Sequence, residues 1–145
     1  MAFNDLTDGK PFLGGSEMPE MKILVVDDFS MMRRGIRNIL RQLGYNDVIE
    51  AEDGVIAFSM LKKEKVGLVI SDWNMPRMNG LDLLKAIRAD DELKAIPVLL
   101  VTANTHNENI SEAVRAGVSS FVVKPFTAEA LKEKIDAIFK GEIKS

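Results

Sequence analysis

The sequence predicts an α/β protein built on a doubly wound, five-stranded parallel sheet. Short apolar runs alternate with helical patterns five times between residues 21 and 140. Apolar strands of this kind suit a parallel sheet that is covered by helices on both faces and connected by right-handed crossovers. Because five strand–helix units are too few to close a barrel, we expect an open sheet.

The five predicted strands are the apolar runs at 23–26, 48–51, 68–71, 97–101 and 121–123. Four of them consist mainly of Val, Ile, Leu and Phe, which is typical of strands buried on both faces. The run at 48–51 contains Glu50 and is more polar, which indicates an edge strand. Pro97 is acceptable in the fourth strand because it occupies the first position.

Each strand is followed by a helical pattern with recognisable ends. Ser30, Asn79 and Thr127 are the predicted N-caps of the first, third and fifth helices. Gly44 is predicted to end the first helix in a left-handed conformation. Residues at helical spacing mark each helix. The first helix has an inner stripe and the second an apolar face, formed by Met32, Ile36, Ile39, Leu40 and Leu43 and by Val55, Phe58 and Leu61. The other three helices are marked by Leu81, Leu84 and Ile87, by Ile110, Ala113, Val114 and Gly117, and by Leu131, Ile135, Ile138 and Phe139.

One domain accounts for most of the chain. A chain of 145 residues with 46% hydrophobic and 28% charged residues is ordinary for a single domain, which we place at residues 21–140. Residues 1–20 mix polar residues, Gly and Pro with scattered Phe and Leu, and we interpret them as a flexible tail or an expression leader. Residues 141–145 form a polar C-terminal end.

The composition excludes several classes of function. The chain has no cysteine and a single histidine, His106, so thiolate metal sites and Ser-His or Cys-His catalysis lack their residues. The net charge of -3 provides no basic surface for nucleic acid, and no apolar run reaches membrane-spanning length. We therefore expect a cytoplasmic monomer that binds neither nucleic acid nor membranes.

Polar residues stand where four of the predicted strands end. Asp27-Asp28 follows the first strand, Asp72 the third, Thr102-Ala103 the fourth and Lys124 the fifth. Taken singly, each has an ordinary explanation as a turn acid, a threonine that suits a strand or a surface lysine. Together they point to a site, because ligands of open α/β sheets bind beyond the carboxyl ends of the strands.

These residue types predict phosphoryl chemistry on an aspartate. Three neighbouring carboxylates repel one another unless a cation neutralises them, and a hard, oxygen-liganded ion such as Mg²⁺ fits best, with Mn²⁺ as a substitute. Lys124, the Thr102 hydroxyl and the Ala103 N–H can bind an anion, for which a phosphoryl group is the natural candidate. Because the site has no histidine or cysteine, its only good nucleophile is a carboxylate, and Asp72 holds the central position.

This arrangement resembles the receiver domain of two-component response regulators over residues 21–140. The family motif is matched by Asp27-Asp28, Asp72, Thr102-Ala103 and Lys124-Pro125 after successive strands. The stretches 72–76 and 121–126 are similar in particular to single-domain chemotaxis regulators of the CheY type. CheY is itself a standard example of the strand order 2-1-3-4-5, so the resemblance implies that order here.

The resemblance implies how the acidic residues would act. Asp72 would accept a phosphoryl group from the phosphohistidine of a chemotaxis-type histidine kinase. Asp28, Asp72 and the Asn74 carbonyl would hold Mg²⁺, with Asp27 acting through water. The protein would be a signalling protein with weak self-catalysed phosphotransfer and autodephosphorylation, not a metabolic enzyme.

The resemblance also implies a switch. Lys124 and Thr102 would bind the phosphoryl oxygens. An inward turn of Phe121 would then remodel the face formed by the fourth helix, the fifth strand and the fifth helix. By the same resemblance, this face meets the flagellar motor switch or a phosphatase.

Two positions depart from the family pattern. Phe121 replaces the usual tyrosine and lacks its hydroxyl, although its ring could still turn. Asn104 replaces a glutamate often found in motor-switching members, which leaves the lifetime of the phosphate open.

Two other classes of protein share parts of this pattern. A phosphatase of the haloacid dehalogenase type also uses an aspartate and Mg²⁺, but its general acid would fall at Asn74, which cannot serve. A docking module of the same fold that is never phosphorylated would have no need for the intact acid cluster. We interpret Arg33, Arg34 and His106 as solvated surface residues.

Overall fold

The predicted sheet is present in the computed structural model, which describes residues 21–103 and 110–140. Its strands are β1 (Ile23–Val26), β2 (Val48–Ala51), β3 (Leu68–Asp72), β4 (Val98–Thr102) and β5 (Ser120–Val123). All neighbouring strands are parallel, and their order is β2-β1-β3-β4-β5. This confirms the doubly wound fold and the edge position of β2.

Five helices cover the sheet: α1 (Ser30–Gln42), α2 (Gly54–Lys63), α3 (Gly80–Ala89), α4 (Ile110–Ala116) and α5 (Ala128–Lys140). Alternate strand residues point to opposite faces. Leu24 and Leu100 belong to an apolar cluster with α2, α3 and α4, whereas Ile23 and Leu99 belong to a second cluster with α1 and α5. The sheet is therefore buried on both faces, as its apolar strands indicated.

The helix ends agree with three of the four predictions. The Asn79 and Thr127 side chains accept the N–H groups of Asp82 at 2.8 Å and Ala130 at 3.0 Å, and Gly44 has a φ of 100°. The predicted cap at Ser30 is wrong, because Ser30 is already helical and Phe29 occupies the N-cap without a side-chain hydrogen bond.

Three of the apolar residues that marked the predicted helices are exposed. Val55, Val114 and Phe139 have exposed fractions of 47%, 58% and 37%. The buried residues of α2 are Gly54, Ala57 and Leu61, and that of α4 is Ala113. Val55 and Val114 are one or two positions away from a buried residue, and such neighbours on a helix point in a different direction. Helical spacing alone did not reveal which of several apolar stripes meets the sheet.

Three strands differ slightly from their predicted bounds. β3 and β4 each end one residue later than expected, so that Asp72 and Thr102 belong to the sheet itself. β4 begins at Val98, after Pro97, and β5 begins one residue early, at Ser120. Asn104, His106, the tail at 1–20 and the end at 141–145 lie outside the described residues. Within the described part of the chain, no helix combines the length and apolar character needed to cross a membrane.

Candidate phosphoacceptor site

The sequence-predicted site residues lie at one edge of the sheet. Asp27 directly follows β1, Asp72 and Thr102 end β3 and β4, and Lys124 directly follows β5. Backbone hydrogen bonds continue past the strand ends, because the N–H of Asp27 donates to the Ala51 carbonyl at 3.1 Å and that of Lys124 to the Thr102 carbonyl at 2.8 Å. These bonds fix the backbone from which the functional side chains project.

Three carboxylates form a cluster at this edge. One oxygen of each of Asp27, Asp28 and Asp72 lies within 4.8 Å of the others. Asp27 and Asp72 are 3% and 7% exposed, whereas Asp28 faces solvent. Asp27 Oδ1 accepts the Phe29 N–H at 2.9 Å, but its Oδ2 is buried without a hydrogen-bond partner among the described residues. A buried carboxylate oxygen in this state fits a hard cation.

Lys124 completes the site from the opposite side. Its Nζ lies 3.1 Å from Asp72 Oδ1, and its peptide bond to Pro125 is cis. The cluster opens into a cavity of about 180 Å³ lined by Asp27, Asp28, Phe29, Met32, Asp72 and Lys124. A small anion could therefore enter between the carboxylates and the lysine.

The electrostatics of the cluster favour a cation. Burial raises the pKa of Asp72, and the charge of Asp27 adds to this effect, while Lys124 opposes it. Burial likewise raises the pKa of Asp27. The hydrogen bond from the Phe29 N–H and the charge of Lys124 favour the charged carboxylate and lower this pKa in part. Both carboxylates therefore pay a cost for being charged in the metal-free protein, and a divalent ion would relieve it.

Other predicted site residues surround this centre without lining the cavity. Thr102 is fully buried, Ala103 is exposed, and Asn74 is exposed in the loop that follows β3. Ala103 directly follows β4, and Asn74 lies two residues beyond the end of β3.

Phe121 is half-buried on β5, where it pairs with Leu100 of β4 and packs against the cluster of α2, α3 and α4. Lys134 Nζ of α5 lies 6.0 Å from the centroid of its ring, at the outer limit for a cation–π contact. The ring therefore links β5 to α5 on the surface that was predicted to change on activation.

Arg33 was wrongly interpreted as a solvated residue, although Arg34 is exposed as expected. The Arg33 side chain is 16% exposed, its Nη1 donates to the Asp27 carbonyl at 2.6 Å, and its Nε donates to Glu50 Oε1 at 2.8 Å. The available signal was spacing, because Arg37 lies one helical turn further on and also pairs with Glu50.

Gly80 is a second residue whose importance the sequence reasoning missed. Its N–H donates to the Trp73 carbonyl at 2.8 Å, which closes the loop that follows Asp72. A Cβ atom at this position would overlap the Asp72 carbonyl oxygen and lie 3.0 Å from Trp73 Cα. The only sequence signal was that Gly80 follows the Asn79 cap.

A parallel sheet of this order, with an acidic cluster and a lysine at its carboxyl edge, defines the class of receiver domains of two-component signalling. The family model of the response regulator receiver domain matches residues 23–136, and the chain belongs to that family. It is a CheY-type receiver and thus a signalling protein.

Curated relatives narrow the comparison to chemotaxis regulators. The chain is 59% identical over 120 residues to chemotaxis protein CheY-3 of Vibrio cholerae, covering 83% of this chain and 92% of that protein. It is 56% identical over 120 residues to chemotaxis protein CheY of Pseudomonas aeruginosa, covering 83% of this chain and 97% of that protein.

Solved structures show the same fold. The chemotaxis response regulator CheY4 of Vibrio cholerae is 34% identical with a TM-score of 0.75, and the match covers 82% of this chain and 98% of that one. The receiver domain of a sensor histidine kinase from Pseudomonas aeruginosa is 26% identical with a TM-score of 0.74, over 83% of this chain and 98% of that one. The latter structure carries a magnesium ion coordinated in its active-site cleft.

Proposed function

We propose that this protein is a phosphorylation-controlled chemotaxis regulator in which Asp72 accepts a phosphoryl group from the phosphohistidine of a histidine kinase. The carrying observation is the position of the Asp72 carboxylate, which lies 3.1 Å from Lys124 and beside Asp27 and Asp28 at the mouth of one cavity. An Asp72 oxygen attacks phosphorus, an O–P bond forms, and the N–P bond of the donor breaks with its electron pair left on the imidazole.

The acid cluster is the proposed magnesium site. Asp28, Asp72 and the backbone carbonyl of Asn74 would be ligands, with Asp27 acting through water. Support comes from the partnerless Asp27 Oδ2, from the raised pKa values of Asp27 and Asp72, and from a donor set made only of oxygens. When bound, Mg²⁺ neutralises negative charge on the phosphoryl group during transfer.

Lys124, Thr102 and Ala103 are the proposed binding groups for the phosphoryl oxygens. Lys124 already contacts Asp72, so phosphorylation would move its ammonium group from the carboxylate to a phosphoryl oxygen. Thr102 is buried beside this point at the end of β4, and the Ala103 N–H follows it. A turn of Thr102 toward the phosphate would open space next to β5.

The proposed output surface is the face formed by α4, β5 and α5. It carries exposed Val114 and Val123 together with the half-buried ring of Phe121. We expect this face to bind the flagellar motor switch protein or a phosphatase once Phe121 turns inward. The protein would act as a cytoplasmic monomer that receives phosphate from a chemotaxis-type kinase.

Phosphotransfer from a radiolabelled histidine kinase tests the assignment of Asp72. The Asp72→Asn variant should fold but accept less than about 1% of the wild-type label, since an amide is not a nucleophile. Asp91→Asn is a matched control, because the Asp91 side chain is 97% exposed and it should be labelled normally. Full acid-labile labelling of Asp72→Asn would refute the assignment.

Membership of the receiver family argues against the haloacid dehalogenase alternative, whose general acid would also fall on the exposed amide Asn74. The remaining alternative is a docking module that is never phosphorylated. Beryllofluoride, which mimics a phosphoryl group on an aspartate, distinguishes a phosphorylated regulator from such a docking module. Binding that depends on both Mg²⁺ and Asp72 supports phosphorylation, and no binding to the wild-type protein supports docking alone.

A further inference from the structure

The loop between β3 and α3, residues 73–79, is fastened at two places. At its base, the Gly80 N–H donates to the Trp73 carbonyl at 2.8 Å. At its outer side, the Gly54 N–H of α2 donates to the Met78 carbonyl at 3.2 Å. A Cβ atom on Gly54 would lie 2.6 Å from that carbonyl oxygen, so the helix can approach the loop this closely only with glycine.

An ion pair strengthens the outer attachment. Arg77 Nε donates to Asp53 Oδ2 at 2.9 Å, and Arg77 Nη2 donates to the same oxygen. The Asp53 side chain is only 6% exposed, whereas that of Arg77 is 60% exposed. Asp53 Oδ1 also accepts the Ile56 N–H at 2.9 Å and so caps α2. One buried carboxylate thus joins the start of α2 to the loop.

Arg77 has an unusual backbone conformation. Its φ of 68° is the only positive value at a non-glycine residue in the described ranges 21–103 and 110–140. Residues other than glycine rarely adopt a positive φ, so the contacts around Arg77 must hold its backbone in this conformation. The Ile56 N–H and Arg77 keep the pKa of Asp53 below its usual value despite its burial, so Asp53 is charged at neutral pH. The ion pair therefore helps to maintain the left-handed turn.

We propose that Asp53 and Arg77 are positioning residues for metal binding, because their ion pair holds the loop backbone that carries the Asn74 carbonyl. This inference rests on the proposed function, in which that carbonyl is a magnesium ligand. Neither residue touches the ion. Asp53 and Arg77 act as outer partners that keep a ligand-bearing segment in one conformation. Without them, the loop must be ordered when Mg²⁺ binds, and the affinity falls.

Magnesium titration of the full chain tests the proposal. Trp73 is the only tryptophan and directly follows Asp72, so its fluorescence can report binding, with Mg²⁺-dependent stabilisation against urea as a second readout. Asp53→Asn keeps an oxygen that can accept the Ile56 N–H, but it loses the ion pair with Arg77. Arg77→Ala removes the same ion pair from its exposed side. Each should raise the half-saturating Mg²⁺ concentration roughly tenfold, the lower end of the effect of outer partners at metal sites.

Two further measurements distinguish positioning from a general loss of stability. The double variant should bind Mg²⁺ no more weakly than either single variant, because both changes remove the same interaction. At saturating Mg²⁺, the labelling rate from the kinase should stay within about twofold of wild type, as expected when only metal affinity is lost. Lys62→Ala is the control. Lys62 lies on α2, the helix that Asp53 caps, but its ion pairs are with Asp90 and Glu92 beyond the end of α3, so this variant should leave Mg²⁺ affinity unchanged.

The outcomes separate this proposal from the function on which it rests. If wild type shows no Mg²⁺ response in either readout, the proposed function fails. If wild type binds Mg²⁺ and the Asp53→Asn and Arg77→Ala variants bind it equally well, the positioning role fails while the proposed function stands. Additive losses in the double variant would also overturn the coupling of Asp53 to Arg77.

Discussion

Replacing Asp27 with asparagine should stabilise the metal-free protein. Asp27→Asn removes one charge from the acid cluster, retains an oxygen for the Phe29 N–H and leaves the Lys124–Asp72 ion pair intact. The amide also replaces a carboxylate oxygen that is buried without a partner among the described residues. An unpaired neutral group is less costly to bury than an unpaired charge.

The magnitude follows from the separation of the charges. The clustered oxygens of Asp27, Asp28 and Asp72 lie within 4.8 Å of one another. Two such charges repel by about 3.5 kcal/mol at an effective dielectric constant of about 20. Lys124 and Arg33 offset part of this repulsion at Asp27. We therefore expect a net gain of about 1–2 kcal/mol in the free energy of unfolding at neutral pH.

The pH dependence of the gain has a definite sign. The pKa values of Asp27 and Asp72 are raised in the folded protein, so the folded protein binds more protons than the unfolded chain above the unfolded pKa of about 3.9. Wild-type stability then falls as the pH rises through the window up to the folded pKa values. The advantage of Asp27→Asn should be complete above this window and disappear below about pH 3.9.

Urea unfolding in EDTA between pH 3 and pH 8 measures this prediction. Magnesium should narrow the difference, because an ion at ten times its dissociation constant stabilises wild type by about 1.4 kcal/mol. The control Asp91→Asn changes a 97% exposed side chain and should shift stability by less than about 0.5 kcal/mol. A destabilised Asp27→Asn variant at neutral pH, or a gain that persists unchanged at pH 3, would refute the repulsive cluster.

Three further predictions concern the loop, the switch and the tail. Gly80→Ala should destabilise the protein by about 1–3 kcal/mol, because the added Cβ overlaps the Asp72 carbonyl oxygen. Gly35→Ala, at an exposed helical position with open space around it, should stabilise the protein by about 0.5–1 kcal/mol. Equal urea midpoints for the two variants would contradict this prediction. Phe121→Tyr should weaken binding of the unphosphorylated protein to the motor switch protein roughly threefold, which is under 1 kcal/mol. The added hydroxyl favours solvent and so disfavours the inward position of the ring. A titration that shows unchanged affinity would contradict this prediction. Deleting residues 1–20 should leave the labelling rate unchanged, since they carry no matched motif; a tenfold change would show that the tail acts on the site.

The outline of the fold could be predicted because its signals are local. An apolar run such as Leu68–Ile70 and the helical spacing in α1 each depend on a few consecutive residues, and the caps at Asn79 and Thr127 depend on one side chain. The faces of α2 and α4 could not be assigned as securely. Val55 and Val114 are as apolar as their buried neighbours, and only packing against the sheet chooses between them.

The succession of strands and helices along the chain could be predicted from the sequence, as could the residue types at the strand ends, which are Asp27, Asp72, Thr102 and Lys124. These residues could be expected to meet, because parallel strands bring their carboxyl ends to one edge wherever those residues lie in the chain. Three-dimensional packing was needed to show that Asp27 Oδ2 lacks a partner among the described residues, that Arg33 donates to the Asp27 carbonyl, and that Arg77 pairs with Asp53. Such contacts depend on distances across the fold, which local patterns do not encode.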